Sequence, residues 1–355
     1  MTVKRVAVDL RMVGSIPHGV ARYALGIWNG LPARDDIHFT AFCAPEASGD
    51  IATIRPGDLI VRARQSFLSP LEQLELPWLL RQSGIDLLHA TSFSLPALSA
   101  IPLVLTLHDA THLSLPEHAR LGARLYHRLV VGPAARRAVR VLTVSEFSAT
   151  EVGRHYGMAR DRIDVAPDAI DLVNATVPRL PDAVSSDRPY LLYVGNGKPH
   201  KNVEVLIAAR SLLADPPPLV LCGEDLERFA RPGIVCLGPV TDDELVALYQ
   251  HATLFLFPSR MEGFGLPPLE AADWGTPVLV ANTSALREIW KNTAPLLSPD
   301  DPASWADSIL RLLANDAARA TLATRCRALA ASYRSWDRAV DAALSAYKLG
   351  LRLDR

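Results

Sequence analysis

The segment Pro258-Ser259-Arg260-Met261-Glu262-Gly263-Phe264-Gly265-Leu266-Pro267-Pro268-Leu269-Glu270-Ala271, continued by Gly275-Thr276-Pro277-Val278, decides the fold. Apolar runs flank it, Leu254 to Phe257 before and Val278 to Ala281 after, so the pattern predicts strand, glycine loop, helix and strand. Proline is tolerated in the first helical turn, which puts the helix start at Pro267 and Pro268 and the amides of Gly263, Phe264, Gly265 and Leu266 at its positive end. Free amides there suit a phosphate or a sugar hydroxyl. Taken alone, Glu270 is a first-turn carboxylate complementing the helix dipole and Glu262 a solvated loop residue, both common features.

Outward from this segment, short apolar runs keep alternating with helix-period stretches. Tyr190 to Val194, Leu219 to Cys222 and Ile234 to Leu237 complete one set of strands. Val6 to Leu10, His38 to Cys43, Leu59 to Val61, Asp86 to Ala90, Leu103 to Leu107, Val141 to Val144 and Ile163 to Ala166 form another. The alternation predicts βαβ units around a mostly parallel sheet in each half. Between the halves, Leu172 to Pro189 is polar and carries Pro178, Pro181 and Pro189, which is linker chemistry. An α/β protein of two domains is therefore expected, residues 1–181 and 182–335, with the boundary near Asp182. From Pro302 onward the pattern is helical, ending in an amphipathic segment from Trp336 to Leu349.

Composition agrees with two globular domains. The chain has 355 residues, beyond the size at which one core stops growing, and 49% hydrophobic with 21% charged residues is an ordinary soluble balance. Lys+Arg 37 against Asp+Glu 38 leaves a net charge of -1, so no global basic field points to nucleic acid. Cys43, Cys222, Cys236 and Cys326 have no paired spacing, which fits neither a disulfide framework nor a zinc cluster. The first residues lack a signal-peptide pattern, and no run of roughly 18 apolar residues occurs. A cytoplasmic protein is expected. Asp-x-Asp spacing is absent and the histidines and cysteines form no ligand set, so no metal or other cofactor is expected.

Lysine is scarce, at Lys4, Lys198, Lys201, Lys291 and Lys348 among many arginines, so a lysine within a motif is informative. Tyr193-Val194-Gly195-Asn196-Gly197-Lys198-Pro199-His200-Lys201-Asn202 closes a strand and leads into a helix expected from Val203 to Ala214. A glycine loop with lysine ahead of a helix can cradle phosphate, or be a turn with a surface lysine. Thr241 reads as an N-cap, with Glu244 completing a capping box just after Gly238, Pro239 and Val240. In the first half, Pro17-His18-Gly19-Val20 follows the first strand and opens a helix. Thr106-Leu107-His108-Asp109 ends a strand at the carboxyl edge, where open α/β sheets bind ligands. A lone histidine there is equally a packed, hydrogen-bonded residue. Val144-Ser145-Glu146-Phe147-Ser148 places Ser145 as a helix cap.

Together these segments resemble the retaining glycosyltransferases of family 4, also called glycosyl transferases group 1, over nearly the whole chain. Glu262 and Glu270 match the Glu-x7-Glu signature. The resemblance implies that Glu262 faces the donor sugar, that Glu270 holds the nucleotide ribose, and that the backbone around Phe264 and Gly265 meets sugar and diphosphate. It assigns Lys201 to the donor diphosphate, with Asn196 and His200 standing where arginine is usual and Lys198 a substitute cation. It places Gly19 on the opposite side of the diphosphate, His108 beside the donor sugar, and the backbone near Gly238 and Val240 beside the base. Asp168, in Ala166-Pro167-Asp168, replaces a common asparagine. The implied fold is GT-B: two Rossmann-like domains facing across a cleft, with residues 336–355 crossing back as a helix onto the first domain.

The implied function is transfer of a hexose from a nucleotide-diphosphate sugar to a saccharide or lipid-linked saccharide acceptor with retention of configuration. Mannose from GDP-mannose, used in bacterial surface polysaccharide synthesis, is the favoured donor. Alternatives are a nucleotide-sugar epimerase of the same fold and a sugar-binding scaffold without catalysis. A dehydrogenase is disfavoured, because no Gly-x-Gly-x-x-Gly follows the first strand. Arg120, Arg124 and Arg128 repeat every fourth residue beside Leu121, Leu125 and Leu129, in a stretch whose basic residues continue through Arg136 and Arg137 to Arg140. Such a face is either solvated or a peripheral contact with an anionic membrane.

Overall fold

The computed structural model describes residues 3–14, 19–45, 55–65, 68–97, 100–114, 121–170 and 177–353. The chain divides into two compact units, Met1–Ala169 with Trp336–Arg355, and Ile170–Ser335. The division precedes the boundary expected near Asp182, because the Ile170 amide already donates to the Tyr333 carbonyl of the second unit at 2.7 Å. Proline content marked a connecting stretch but not the point at which pairing changes sides.

The first unit is built on seven strands: β1 (Lys4–Leu10), β2 (Ile37–Cys43), β3 (Leu59–Arg62), β4 (Leu87–Ala90), β5 (Leu103–Thr106), β6 (Arg140–Thr143) and β7 (Ile163–Val165). Its helices are α1 (Gly19–Gly30), α2 (Glu72–Gln82), α3 (Thr111–Ser114), α4 (Leu121–Tyr126), α5 (Gly132–Arg137) and α6 (Glu146–Tyr156). The strands lie in the order β3-β2-β1-β4-β5-β6-β7, all parallel. Helices cover the central strands, which is why those strands read as continuous apolar runs. One layer of the core joins Leu76, Leu79 and Leu80 of α2 to Val131, Ala134 and Ala135 and to Ala149 and Val152 of α6.

The second unit contains β8 (Leu191–Val194), α7 (Val203–Ser211), β9 (Leu219–Cys222), β10 (Ile234–Gly238), α8 (Asp242–His251), β11 (Leu254–Phe257) and α9 (Leu266–Asp273). It continues with β12 (Val278–Ala281), α10 (Ser284–Trp290), β13 (Leu296–Leu297), α11 (Pro302–Leu313) and α12 (Asp316–Ala331). Its parallel sheet has the order β10-β9-β8-β11-β12-β13. Helix α7 stops at Ser211 rather than Ala214, since Leu212 and Leu213 already make tighter bonds to the carbonyls of Ala209 and Arg210 ahead of three prolines.

Both sheets reverse their winding in the middle, between β1 and β4 and between β8 and β11. The loops leaving such a pair of strands diverge to opposite sides and open a crevice at the carboxyl edge. In the second unit those are the loops after Val194 and Phe257, the two segments with the strongest sequence signals.

A last helix, α13 (Asp337–Leu351), belongs to the first unit. A Cβ on Gly26 of α1 would fall 2.1 Å from the Trp336 ring, so the glycine lets the chain enter this helix flush against α1. Tyr347 is fully buried beneath the sheet and meets His89 Nδ1 through its hydroxyl at 2.6 Å.

Candidate active site

The loop after β8 is shaped by backbone contact. The Gly197 amide donates to the Glu224 carbonyl at 2.9 Å, and a Cβ on Gly197 would lie 1.9 Å from the Asp225 carbonyl oxygen. Pro199–Lys201 then forms one 3-10 turn, stopped by Asn202 in the left-handed region at φ 57°. Asn202 Nδ2 donates to the carbonyls of Pro258 at 3.2 Å and Pro299 at 2.8 Å. The His200 carbonyl accepts from the Arg260 amide at 2.8 Å and the Ser259 hydroxyl at 3.2 Å. Three of these hydrogen bonds stitch the lysine turn to the loop after β11, and the bond to Pro299 ties it to the chain after β13.

That second loop is fixed from beneath. The Glu262 amide donates to Ser284 Oγ at 3.0 Å, and Phe264 is buried edge-on against Tyr333 with ring centroids 5.5 Å apart. Gly265, with φ 97°, caps α9, which opens at Leu266 with proline in its first turn as expected. The Phe264 side chain is therefore structural, and what Gly263 to Leu266 can offer a ligand is main chain.

Within this frame Lys201 Nζ lies 2.6 Å from Glu262 Oε1, with the two side chains only 15% and 13% exposed. Tyr249 donates its hydroxyl to Glu270 Oε2 at 2.9 Å, and both residues are buried. Glu262 is thus not a solvated loop residue, and Glu270 lies beyond the first turn of α9 rather than in it; both carboxylates have organised partners, as burial requires. Asn196 Oδ1 accepts from the Lys198 amide at 3.2 Å, and the Lys198 side chain is exposed. His200 is buried at 8% exposure, and its main-chain oxygen organises the turn. Val240 is half-buried just before the Thr241 cap, whose capping box with Glu244 is formed in both directions.

In the first unit, Gly19 opens α1 in exposed chain, and no described atom comes within 4 Å of a Cβ placed there. His108, beyond β5, bonds the Thr91 carbonyl through Nε2 at 3.0 Å and stands edge-on to Tyr23 at 4.8 Å. Ser145 caps α6, accepting from the Ser148 amide at 3.0 Å. Asp168 is buried.

Two buried networks beneath this edge escaped the sequence. Arg11 bonds Asp9 through Nε at 2.9 Å and Glu72 at 2.9 Å, with Ser94 completing the cluster. These carboxylates hold the guanidinium charged despite its burial, raising its pKa above the ordinary value. Its signal was an aspartate followed by arginine at the end of an otherwise apolar strand. His89 sits between Tyr347 and Thr106, bonded to each at 2.6 and 2.9 Å. Ser284 carried no sequence signal.

The arginine stripe is altered. Arg120 lies outside the described residues, and helix α4 gives way at His127–Val131 to a π-helical turn, so Arg124 and Arg128 are not on a regular α-helical face. Both remain exposed, as do Leu125 and Leu129. Arg136 and Arg137 instead bond the carbonyls of Tyr156 and Ala97, and Arg140 pairs with Asp164 through Nε at 2.6 Å.

Comparison with known proteins gives the family and the fold. The pattern of "Glycosyl transferases group 1" fits residues 181–328, and that of "Glycosyltransferase Family 4" fits residues 17–174. O-antigen chain mannosyltransferase B of Escherichia coli is 31% identical over 322 residues, 84% of this chain and 82% of that protein. Among solved structures, sucrose-phosphate synthase from Thermosynechococcus elongatus aligns over 97% of this chain and 98% of its own, with a TM-score of 0.73 at 19% identity. Anabaena Alr3699/HepE in complex with UDP and glucose aligns over 98% and 100%, with a TM-score of 0.71 at 19% identity. The structural likenesses show the fold, and the sequence match adds kinship: the chain belongs to the group 1 glycosyltransferases of family 4, with the two Rossmann-like domains of the GT-B fold.

Proposed function

We propose that this chain transfers mannose from GDP-mannose, with retention of configuration, to a saccharide or lipid-linked saccharide acceptor in the synthesis of a bacterial surface polysaccharide. The observation that carries the reading is the close meeting of Lys201 with Glu262 at the winding reversal of the second unit, beside the buried Glu270–Tyr249 pair. The name of the Escherichia coli relative supports mannose as the sugar. In this reading Lys201, with Lys198 nearby, offsets charge growing on the leaving diphosphate, the amides of Gly263 to Leu266 add fixed dipoles, and Glu270 holds the ribose. Glu262 accepts from the sugar hydroxyls. Gly19 lets the first unit's backbone approach the diphosphate, and His108 serves the donor sugar. The acceptor hydroxyl gives its proton to the departing phosphate oxygen on the face from which that oxygen leaves, so configuration is kept.

The test is incubation with GDP-mannose, UDP-glucose and UDP-N-acetylglucosamine, each with and without a mannosylated acceptor. Release of GDP that requires the acceptor, with an α-linked product by NMR, supports the reading. Epimerised donor formed without acceptor overturns it.

We further propose peripheral contact with anionic lipid through Arg124, Leu125, Arg128 and Leu129, which present charge and apolar surface together. Leu74 and Trp78 of α2 are exposed as well, and both helices border the 93–97 loop: Tyr126 bonds Phe93, and Gln73 bonds Leu95 and Ala97. Replacing Arg124 and Arg128 by serine should reduce co-sedimentation with phosphatidylglycerol vesicles while leaving transfer to a soluble acceptor intact. Wild-type vesicle binding by that variant would return the face to solvent.

A further inference from the structure

The Lys201–Glu262 pair joins the two side chains that the proposed function sends to different parts of the donor, and the inference drawn from it rests on that reading. Both partners are anchored at the backbone. Lys201 sits in a turn whose amide bonds the Lys198 carbonyl at 2.9 Å and whose end is tied down by Asn202. Glu262 is held by its own amide on Ser284, and the preceding Met261 carbonyl accepts from Ser259 Oγ at 3.2 Å. With both backbones anchored, side-chain rotation is the direct way to open the pair, and the long flexible lysine stem is the one suited to swing.

A phosphate arriving at Lys201 leaves the Glu262 carboxylate largely shielded from water and without its cation. An intact nucleotide sugar supplies hydroxyl donors that replace the ammonium. A bare nucleoside diphosphate supplies none and brings its own negative charge toward the carboxylate. We propose that Glu262 competes with the diphosphate for Lys201, so that the site favours the intact nucleotide sugar over the nucleoside diphosphate left after transfer. Glu262 reclaims the lysine once the sugar has gone, and the spent diphosphate is weakened in its hold. The carboxylate is thus a selectivity and release element as well as a sugar contact.

Calorimetry on the full chain with GDP and GDP-mannose, and with UDP and UDP-glucose, tests this in wild type, Glu262→Gln, Lys201→Ala and the double variant. Glu262→Ala, which removes the charge by another route, runs beside Glu262→Gln. Both neutral variants should bind the free nucleoside diphosphate at least about tenfold more tightly than wild type, the size expected when one competing charged hydrogen bond is removed. The gain for the nucleotide sugar should be smaller or reversed, and Lys201→Ala should abolish the gain in the double variant. If Lys201→Ala weakens diphosphate binding but the neutral variants bind it no better than wild type, the competition is overturned and the donor-site reading stands. If wild type binds neither GDP nor UDP, or Lys201→Ala leaves their affinity unchanged, the donor-site reading itself is overturned.

Discussion

The Tyr249 hydroxyl donates to Oε2 of Glu270 at 2.9 Å, joining the last turns of α8 to the middle of α9 in a buried contact. A buried carboxylate that loses a hydrogen-bond donor forfeits about 1.5 to 3 kcal/mol. Glu270→Ala should therefore weaken nucleoside diphosphate binding at least about tenfold, and Tyr249→Phe by a smaller factor, because the phenol only aims the carboxylate. The check is calorimetry on both single variants and the double. If Tyr249 is a positioning residue, its loss should add nothing to binding once Glu270 is gone. An equal further loss in the double variant would show that it acts on its own.

Two glycines of the site should respond differently to the same small change. An alanine at Gly197 would drive its Cβ into the Asp225 carbonyl, so the loop must shift and carry the Lys201 turn with it. Gly197→Ala should destabilise the protein by about 1 to 3 kcal/mol and lower nucleotide affinity together. At Gly19 no described atom stands in the way. Gly19→Ala should keep the wild-type melting temperature and lose donor affinity, since the proposed function gives that space to the ligand. Thermal melts paired with calorimetry separate the two, and wild-type affinity in Gly19→Ala would remove that loop from the diphosphate.

Transfer should proceed in excess EDTA. The sequence carries no Asp-x-Asp pair of the kind that commonly brings a metal to a glycosyltransferase diphosphate. Lys201 and Lys198 lie on one turn beside the amides that open α9, and these groups can meet the diphosphate charge without a divalent ion. Initial rates with EDTA and with added magnesium or manganese decide the point. Loss of turnover in EDTA that returns with metal would require a different account of how the diphosphate is held.

The sequence made the α/β alternation legible because buried parallel strands leave continuous apolar runs bounded by glycine and proline. It also marked Lys201 and Glu262 inside glycine and proline loops where the backbone is constrained, and Glu270 in the helix that the second loop opens. It could not disclose that Lys201 and Glu262 pair, for that depends on β8 and β11 being neighbours at the winding reversal. Nor did it reveal the supports. Ser284 acts through one hydrogen bond and the Asn202 amide through two, all with partners far along the chain, and no local pattern encodes those. The arginine repeat was legible only in part for a related reason: the π-helical turn at His127–Val131 departs from the α-helical spacing from which the face was deduced, and no local pattern marks such a turn.

His89 should make the first unit acid-sensitive. The ring is fully buried and bonded at both nitrogens to hydroxyls, Tyr347 on one side and Thr106 on the other. A neutral imidazole has one donor and one acceptor nitrogen, and hydroxyls can satisfy either, whereas a protonated ring has two donors and a charge that no carboxylate among the described residues bonds. Burial first, and the nearby His108 second, push its pKa from 6.5 down to about 3. Between those values the unfolded chain holds one proton more than the folded chain, so stability is full above about pH 6.5 and falls as the pH is lowered toward 3. The unfolding constant should rise through this one group by up to about tenfold per pH unit in that window. Because Tyr347 belongs to α13, the strain should appear where this helix meets the sheet, raising amide exchange in residues 337–351 before the rest of the unit. Urea unfolding at pH 7.5 and 5.0 checks the sign, with His89→Gln as the comparison. That variant should be weaker at pH 7.5, having disturbed the Tyr347 and Thr106 contacts, but should lose less stability on acidification than wild type. Equal losses in the two proteins would mean that another group carries the acid response.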